Sequence, residues 1–235
     1  MLEDWFGMME IVMPLEAWHR LPRNAGYKYE YVKGKAQITP EPKCCDVVLE
    51  LESFRAAELE EWERWEVRRL REEDWAELPE VMAAAFSGVA PFATLPEEEM
   101  RGAMADGLKH TRAGRDGELI PSACVALMGP WGNRDELQMM GAALVTLRAG
   151  ETAVGEMTPL LAWIMVVPMV KRRGGGSVLL AAVVEELRRL GHKKLESVVC
   201  TGNHGSMTWH WHRGFVMGMT IRERVRERMG RRTKV

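Results

Sequence analysis

After an apolar-aromatic lead at Trp5, Phe6, Met8, Met9, Ile11 and Val12, short runs of the first sixty residues alternate with a period of two, and from Trp65 onward period two mixes with helical period. In the segment 26–32, alternation sets Tyr27, Tyr29 and Tyr31 on one face of a strand. Lys33-Gly34 then reads as a turn, and Lys35–Thr39 as a return strand ended by Pro40 and Pro42. Asp46–Glu52 alternates again and predicts a further strand. Together these predict a β-hairpin extension over residues 1–60.

From Trp65 the elements come in a regular order. Trp65–Leu70 predicts a short strand, and Glu72–Phe86 an amphipathic helix with Leu78, Val81, Met82, Ala85 and Phe86 on one stripe. A proline-containing break at 91–96 precedes a second helix over Glu97–His110. Ser122–Met128 and Met139–Arg148 form an antiparallel hairpin about the loop 129–133. Leu160–Val167 is almost continuously apolar, as expected of a strand covered on both faces. The helix Gly176–Leu190 stops at Gly191, and Leu195–Cys200 is a second buried strand. A short helix Ser206–Arg213 and a last strand Phe215–Thr220 complete a mixed α/β (α+β) layout.

Composition narrows the function classes. A chain of 235 residues buries one substantial core plus an extension. A formal net charge of −2 offers no argument for nucleic acid or membranes as a partner of the whole chain, and no nucleic-acid partner is expected. The Arg-rich stretch Arg222–Lys234 lacks interleaved aromatics and reads as a basic tail over 223–235, after a domain spanning 61–222. No basic region followed by an apolar one opens the sequence, and the apolar run Thr158–Val170 is too short and too interrupted by prolines to span a bilayer. The expectation is a cytoplasmic protein with no membrane partner. Cys44 and Cys45 are poor partners for one another, and Cys124 and Cys200 read as small core hydrophobes.

The chemistry concentrates at Val166-Val167-Pro168-Met169-Val170-Lys171-Arg172-Arg173-Gly174-Gly175-Gly176-Ser177. A strand feeds a loop with three glycines, and a helix starts directly after it. Without Cβ atoms such a loop can aim several amides at one point, and the helix adds its unpaired N–H groups and dipole. Lys171, Arg172 and Arg173 add positive charge. This is a cradle for a pyrophosphate. The P-loop requires Lys then Ser/Thr after its last glycine, and the dinucleotide loop requires spaced glycines; neither pattern fits here.

The stretch resembles the GNAT superfamily of N-acetyltransferases, which carries Arg/Gln-x-x-Gly-x-Gly/Ala with an upstream proline and a following Leu-Leu pair. Pro168, Gly174, Gly176, Leu179 and Leu180 match, with Lys171 where Arg or Gln is usual. A second block, Asn203 to Phe215, is similar to the family's Asn-x-x-Ala-x-x-x-Tyr-x-x-x-Gly-Phe at Asn203, Gly214 and Phe215, with Ser206 in the alanine place. The resemblance covers residues 65–220. It implies a mixed, mostly antiparallel sheet with splayed central parallel strands flanked by helices. It also implies acetyl-CoA as acyl donor, with its pyrophosphate on the amides of Arg172 to Ser177. Val166 and Val167 would lie beside the pantetheine arm, and Asn203 belongs to the second block.

In the family the tyrosine of that block often protonates the departing thiolate; here the position is His210. A reference pKa near 6.5 gives imidazole an appreciable charged fraction at neutral pH, enough to act as that acid. A metal reading of His204, His210 and His212 is weaker, since the spacing is not a standard ligand pattern and no nearby Cys or carboxylate completes it; no metal is expected. No carboxylate lies on Leu160–Val167, so Glu151 and Glu156 upstream are the candidate bases, and spacing favours neither. The expectation is direct transfer of an acetyl group to a small-molecule or protein amine in a ternary complex. The competing class is an acyl-CoA-binding module without catalysis. The extension is expected to cover the acceptor groove or to mediate a homodimer.

Overall fold

The computed structural model describes residues 8–24, 26–41, 43–56, 65–130, 137–149 and 157–218. The first elements are β1 (Met9–Val12), α1 (Leu15–Arg20), β2 (Tyr27–Val32) and β3 (Lys35–Pro40). These strands form a small antiparallel sheet in the order β1-β3-β2. The alternation that predicts β2 is the reason it holds: Trp18 of α1 stacks on Tyr31 at 5.5 Å, and the Tyr31 hydroxyl donates to the Met13 carbonyl. Helix α1 and strand β1 have no clear periodic signal because both are too short to show one.

The next strand, β4 (Cys44–Glu50), does not join this small sheet. It enters a larger sheet made with β5 (Glu66–Arg69), β6 (Glu118–Leu119), β7 (Val125–Pro130), β8 (Leu137–Ala149), β9 (Met157–Val166), β10 (Lys194–Cys200) and β11 (Val216–Met217). The order is β11-β4-β10-β9-β8-β7-β5, with β6 on β8. Thus a strand grouped by sequence with the N-terminal segment runs antiparallel between two late strands. Its driving force is the pair Val47 and Leu49, which are essentially fully buried, followed by Leu51 and Phe54 in the same core. The chain turns out of the ladder two residues earlier than alternation suggests, in a 3-10 turn at Leu51–Ser53.

Four helices complete the layers: α2 (Leu78–Phe86), α3 (Glu97–Arg112), α4 (Gly175–Arg189) and α5 (His204–His212). Strand β8 is buried at every position from Met139 to Thr146, which only a sheet covered on both faces allows. Helices α2 and α4 both pack against β8 and β9. Helix α4 presents Val178, Leu179, Leu180, Val183, Val184 and Leu187 to the core, all essentially inaccessible. Helix α2 starts later than its periodicity predicts, because Pro79 suits a first helical turn and the preceding Glu73–Ala76 takes a 3-10 turn.

The small sheet is tied to the large one near the end of β10. The Asn24 side-chain amide donates to the Gly202 carbonyl at 2.9 Å, and Gly26 abuts both Gly202 and Ala90.

Candidate active site

Strand β9 ends at Val166, and the chain makes a 3-10 turn at Pro168–Val170 before α4 begins at Gly175. Two left-handed residues shape the loop, Arg172 at φ 64° and Gly174 at φ 91°. Alternating handedness of this kind turns successive amides toward one concavity. The amides of Lys171 and Arg173 donate to the Pro168 and Val170 carbonyls, and that of Ser177 donates to Gly174. Those of Arg172, Gly174, Gly175 and Gly176 meet no protein acceptor among the described residues. Four donors at the positive end of a fifteen-residue helix are arranged as a group that could hold an anion. Arg172 and Arg173 are exposed beside it.

Other predicted ligands lie elsewhere. The Lys171 ammonium donates to the Ala85 carbonyl at 2.6 Å, and burial holds its pKa below the ordinary lysine value. Lys171 therefore ties the loop to the end of α2. Ser177 is buried, and its amide is spent inside the helix's first turn. Val166 and Val167 are engaged with β8 through the Val166–Gly141 pairing and the Val167 amide to Met140. Asn203 caps α5 by accepting from the Ser206 amide at 3.0 Å.

Beside the loop, β9 and β10 part. They pair in parallel only at Leu160–Glu196 and Leu161–Ser197. On its other side β9 bulges at Ala162, where Leu144 faces Trp163 but Val145 faces Leu161. A bulge bends its strand and frees a residue from the ladder. The gap opens into a cavity of about 780 Å³, walled by Leu160–Ile164 of β9 and Ser197–Cys200 of β10. Cys200, expected in the core, borders this cavity half-buried.

His210 sits in the wall of the cavity at 3% exposure. Its Nδ1 lies 2.8 Å from the Ser206 carbonyl, which can only accept, so the ring proton belongs on Nδ1. Nε2 is then a lone-pair acceptor, and the Ser197 hydroxyl donates to it at 3.2 Å. Burial pushes the imidazole down to about 4, against a smaller upward pull from the Ser206 carbonyl. The charged fraction inferred from the reference value is therefore absent at neutral pH. Trp209 and Phe215 enclose the ring, each 4.8 Å from it between centroids.

A carboxylate does reach the cavity, but not one expected from sequence. Glu151 and Glu156 fall outside the described residues. Asp116, in the loop after α3, lines the cavity. Its Oδ2 accepts from the Thr111 hydroxyl at 2.7 Å, which itself accepts from the Trp163 indole at 2.8 Å. The Asp116 carbonyl accepts from Thr146 at 2.8 Å, so backbone and side chain are both fixed. Near it, Phe86 meets Phe92 and Trp163 at 5.5 and 6.1 Å to form an aromatic wall. Nothing in the local pattern around Asp116 distinguishes it from a solvated loop residue; only the fold brings it to β9.

Among the described residues no group of three or more His, Cys, Asp or Glu could hold a metal ion. No described helix is long and apolar enough to cross a membrane.

No family model matches the sequence, and no curated protein matches it. Solved structures do match the fold. A GCN5-related N-acetyltransferase from Sphaerobacter thermophilus aligns over 91% of this chain at 16% identity, with a TM-score of 0.52. The chain spans 57% of that protein's length. A Pyrococcus furiosus protein with the provisional name of acetyl transferase aligns over 67% of this chain and 96% of its own, at 19% identity and a TM-score of 0.52. These likenesses show that the chain has the GNAT fold.

Proposed function

We propose that this GNAT-fold chain is an acetyl-CoA-dependent N-acyltransferase. One observation carries the reading: four unspent amides at the start of α4 stand directly beyond the strand whose bulge and divergence open the cavity. The loop amides would hold the diphosphate of the donor, and Arg172 and Arg173 would add charge to a contact that costs little reorganisation. The bulged part of β9 would offer free backbone groups to the pantetheine arm and to the thioester oxygen.

Chemistry would then take place between β9 and β10. Asp116 would accept the proton released as an amine attacks the thioester carbon, directly or through one water. Its grip by Thr111 and Trp163 orients the carboxylate from the strand that holds the acyl group. His210 acts differently from a proton donor. As a neutral ring it holds the Ser197 hydroxyl, and the departing thiolate would take its proton from solvent. Much of the rate would come from holding amine and thioester together.

The second reading, a module that binds acyl-CoA without turnover, is favoured by the lack of a protonated acid at His210. Titration calorimetry with acetyl-CoA, followed by thiol release against a panel of amines, decides between them. Binding with amine-dependent release above the blank supports the enzyme; binding with blank-rate release for every amine supports the module. Failure to bind acetyl-CoA or CoA removes both.

A further inference from the structure

Cys44 and Cys200 stand directly opposite one another in the β4–β10 ladder. The neighbouring pair reveals what kind of position this is. The Thr201 amide donates to the Lys43 carbonyl at 2.8 Å, so residues 43 and 201 form a hydrogen-bonded pair. Antiparallel ladders alternate, and residues 44 and 200 are therefore a non-hydrogen-bonded pair. At such positions the Cα atoms are about 4.5 Å apart and the side chains lie closest together on one face. That separation is within the range a disulfide spans.

The other two cysteines are placed differently. Cys45 points to the opposite face, its Sγ 3.6 Å from the Val199 carbonyl and 3.7 Å from Met207 Sδ. Cys124 is buried against the Val145 backbone, and burial pushes its thiol up to about 11. Cys44, by contrast, is exposed, and with Cys200 it borders the cavity.

We propose that Cys44 and Cys200 are a reversible redox pair that closes to a disulfide across the β4–β10 ladder. With hydrogen peroxide as oxidant, one thiolate attacks a peroxide oxygen, the O–O bond breaks, and the other oxygen leaves as water after taking a proton. The sulfenic acid so formed is attacked by the second thiolate; the S–S bond forms and a second water departs. Two thiols and one peroxide thus give one disulfide and two waters, the sulfurs losing the two electrons that the peroxide gains. Partial desolvation of the sulfur at the cavity edge, and after it the neighbouring Cys200, Cys45 and Asp46, hold the Cys44 thiol above its ordinary value, so closure at neutral pH is slow. The link joins residues 156 positions apart and so constrains the unfolded chain strongly.

The test uses the full chain treated with a small excess of hydrogen peroxide at mildly alkaline pH. Thiols are then counted under denaturing conditions and the peptides mapped by mass. Expected are a fall from four free thiols to two, a joined peptide pair separated by dithiothreitol, and a higher urea midpoint for the oxidised form. Cys44→Ser and Cys200→Ser each abolish the link, while Cys45→Ser forms it like the parent. Four thiols remaining, a bridge through Cys45 or Cys124, a bridge between two molecules, or oxygen gained without joining would each overturn the proposal.

Discussion

A neutral imidazole buried among aromatic rings makes His210 a pH-dependent element of stability. Its pKa of about 4 in the folded chain lies below the 6.5 of an exposed ring, so the unfolded chain takes up the proton first. The stability linked to His210 is therefore complete above pH 6.5 and is lost as pH falls from 6.5 to 4. The full difference is worth about 3 kcal/mol. Urea unfolding at pH 7 and pH 4.5 should show this loss in the parent, and His210→Gln should show a smaller drop over the same interval. An equal drop in both would remove His210 from the acid sensitivity. Asp116 belongs to the same scale. If it takes the amine proton, Asp116→Asn lowers kcat/KM for amines by roughly 10² or more while leaving the acetyl-CoA dissociation constant near that of the parent. Steady-state kinetics and calorimetry on one preparation check both halves.

The loop before α4 is the element on which donor binding rests. Gly174 at φ 91° and ψ −6° occupies a left-handed conformation that costs an L-residue about 1–2 kcal/mol. Gly174→Ala should destabilise the chain by about that amount and weaken acetyl-CoA binding, read by urea unfolding and calorimetry. This loop was legible in the sequence because its ingredients are contiguous: a strand, three glycines, three cations and a helix start. The partition of the amides was not, since Arg173 and Ser177 lose theirs to turns that depend on the left-handed residues beside them. His210 was legible as a position and misleading as a charge, because burial acts through Ser197, Trp209 and Phe215, which lie on different elements. Asp116 was hidden for the same reason: its partners Thr111, Thr146 and Trp163 come from three segments.

At the scale of the molecule, β4 decides how much of the N-terminal segment is structural. Its alternation predicts a strand but carries no information about which neighbour it will find. Leu49 is fully buried in the principal core, whereas Val32 of the small sheet is 42% exposed. Leu49→Ala should cost roughly 2–5 kcal/mol, and Val32→Ala within about 0.5 kcal/mol of nothing. Urea midpoints of the two variants measure this directly. In native-state hydrogen exchange, β4 amides bonded to β10 should be as protected as those of β10 itself; fast exchange across β4 would show that the strand opens independently.

The position of β4 also sets a schedule for the nascent polypeptide. Its partners on β10 emerge between 144 and 156 residues later. At the usual pace of roughly 5–20 residues per second, the strand leaves the ribosome roughly seven to thirty seconds before its mates exist. During that interval Val47 and Leu49 have no final home, and the segment is a target for chaperones or for another unfinished chain. Synthesis slowed between the two strands should lengthen that wait and lower the yield of soluble product.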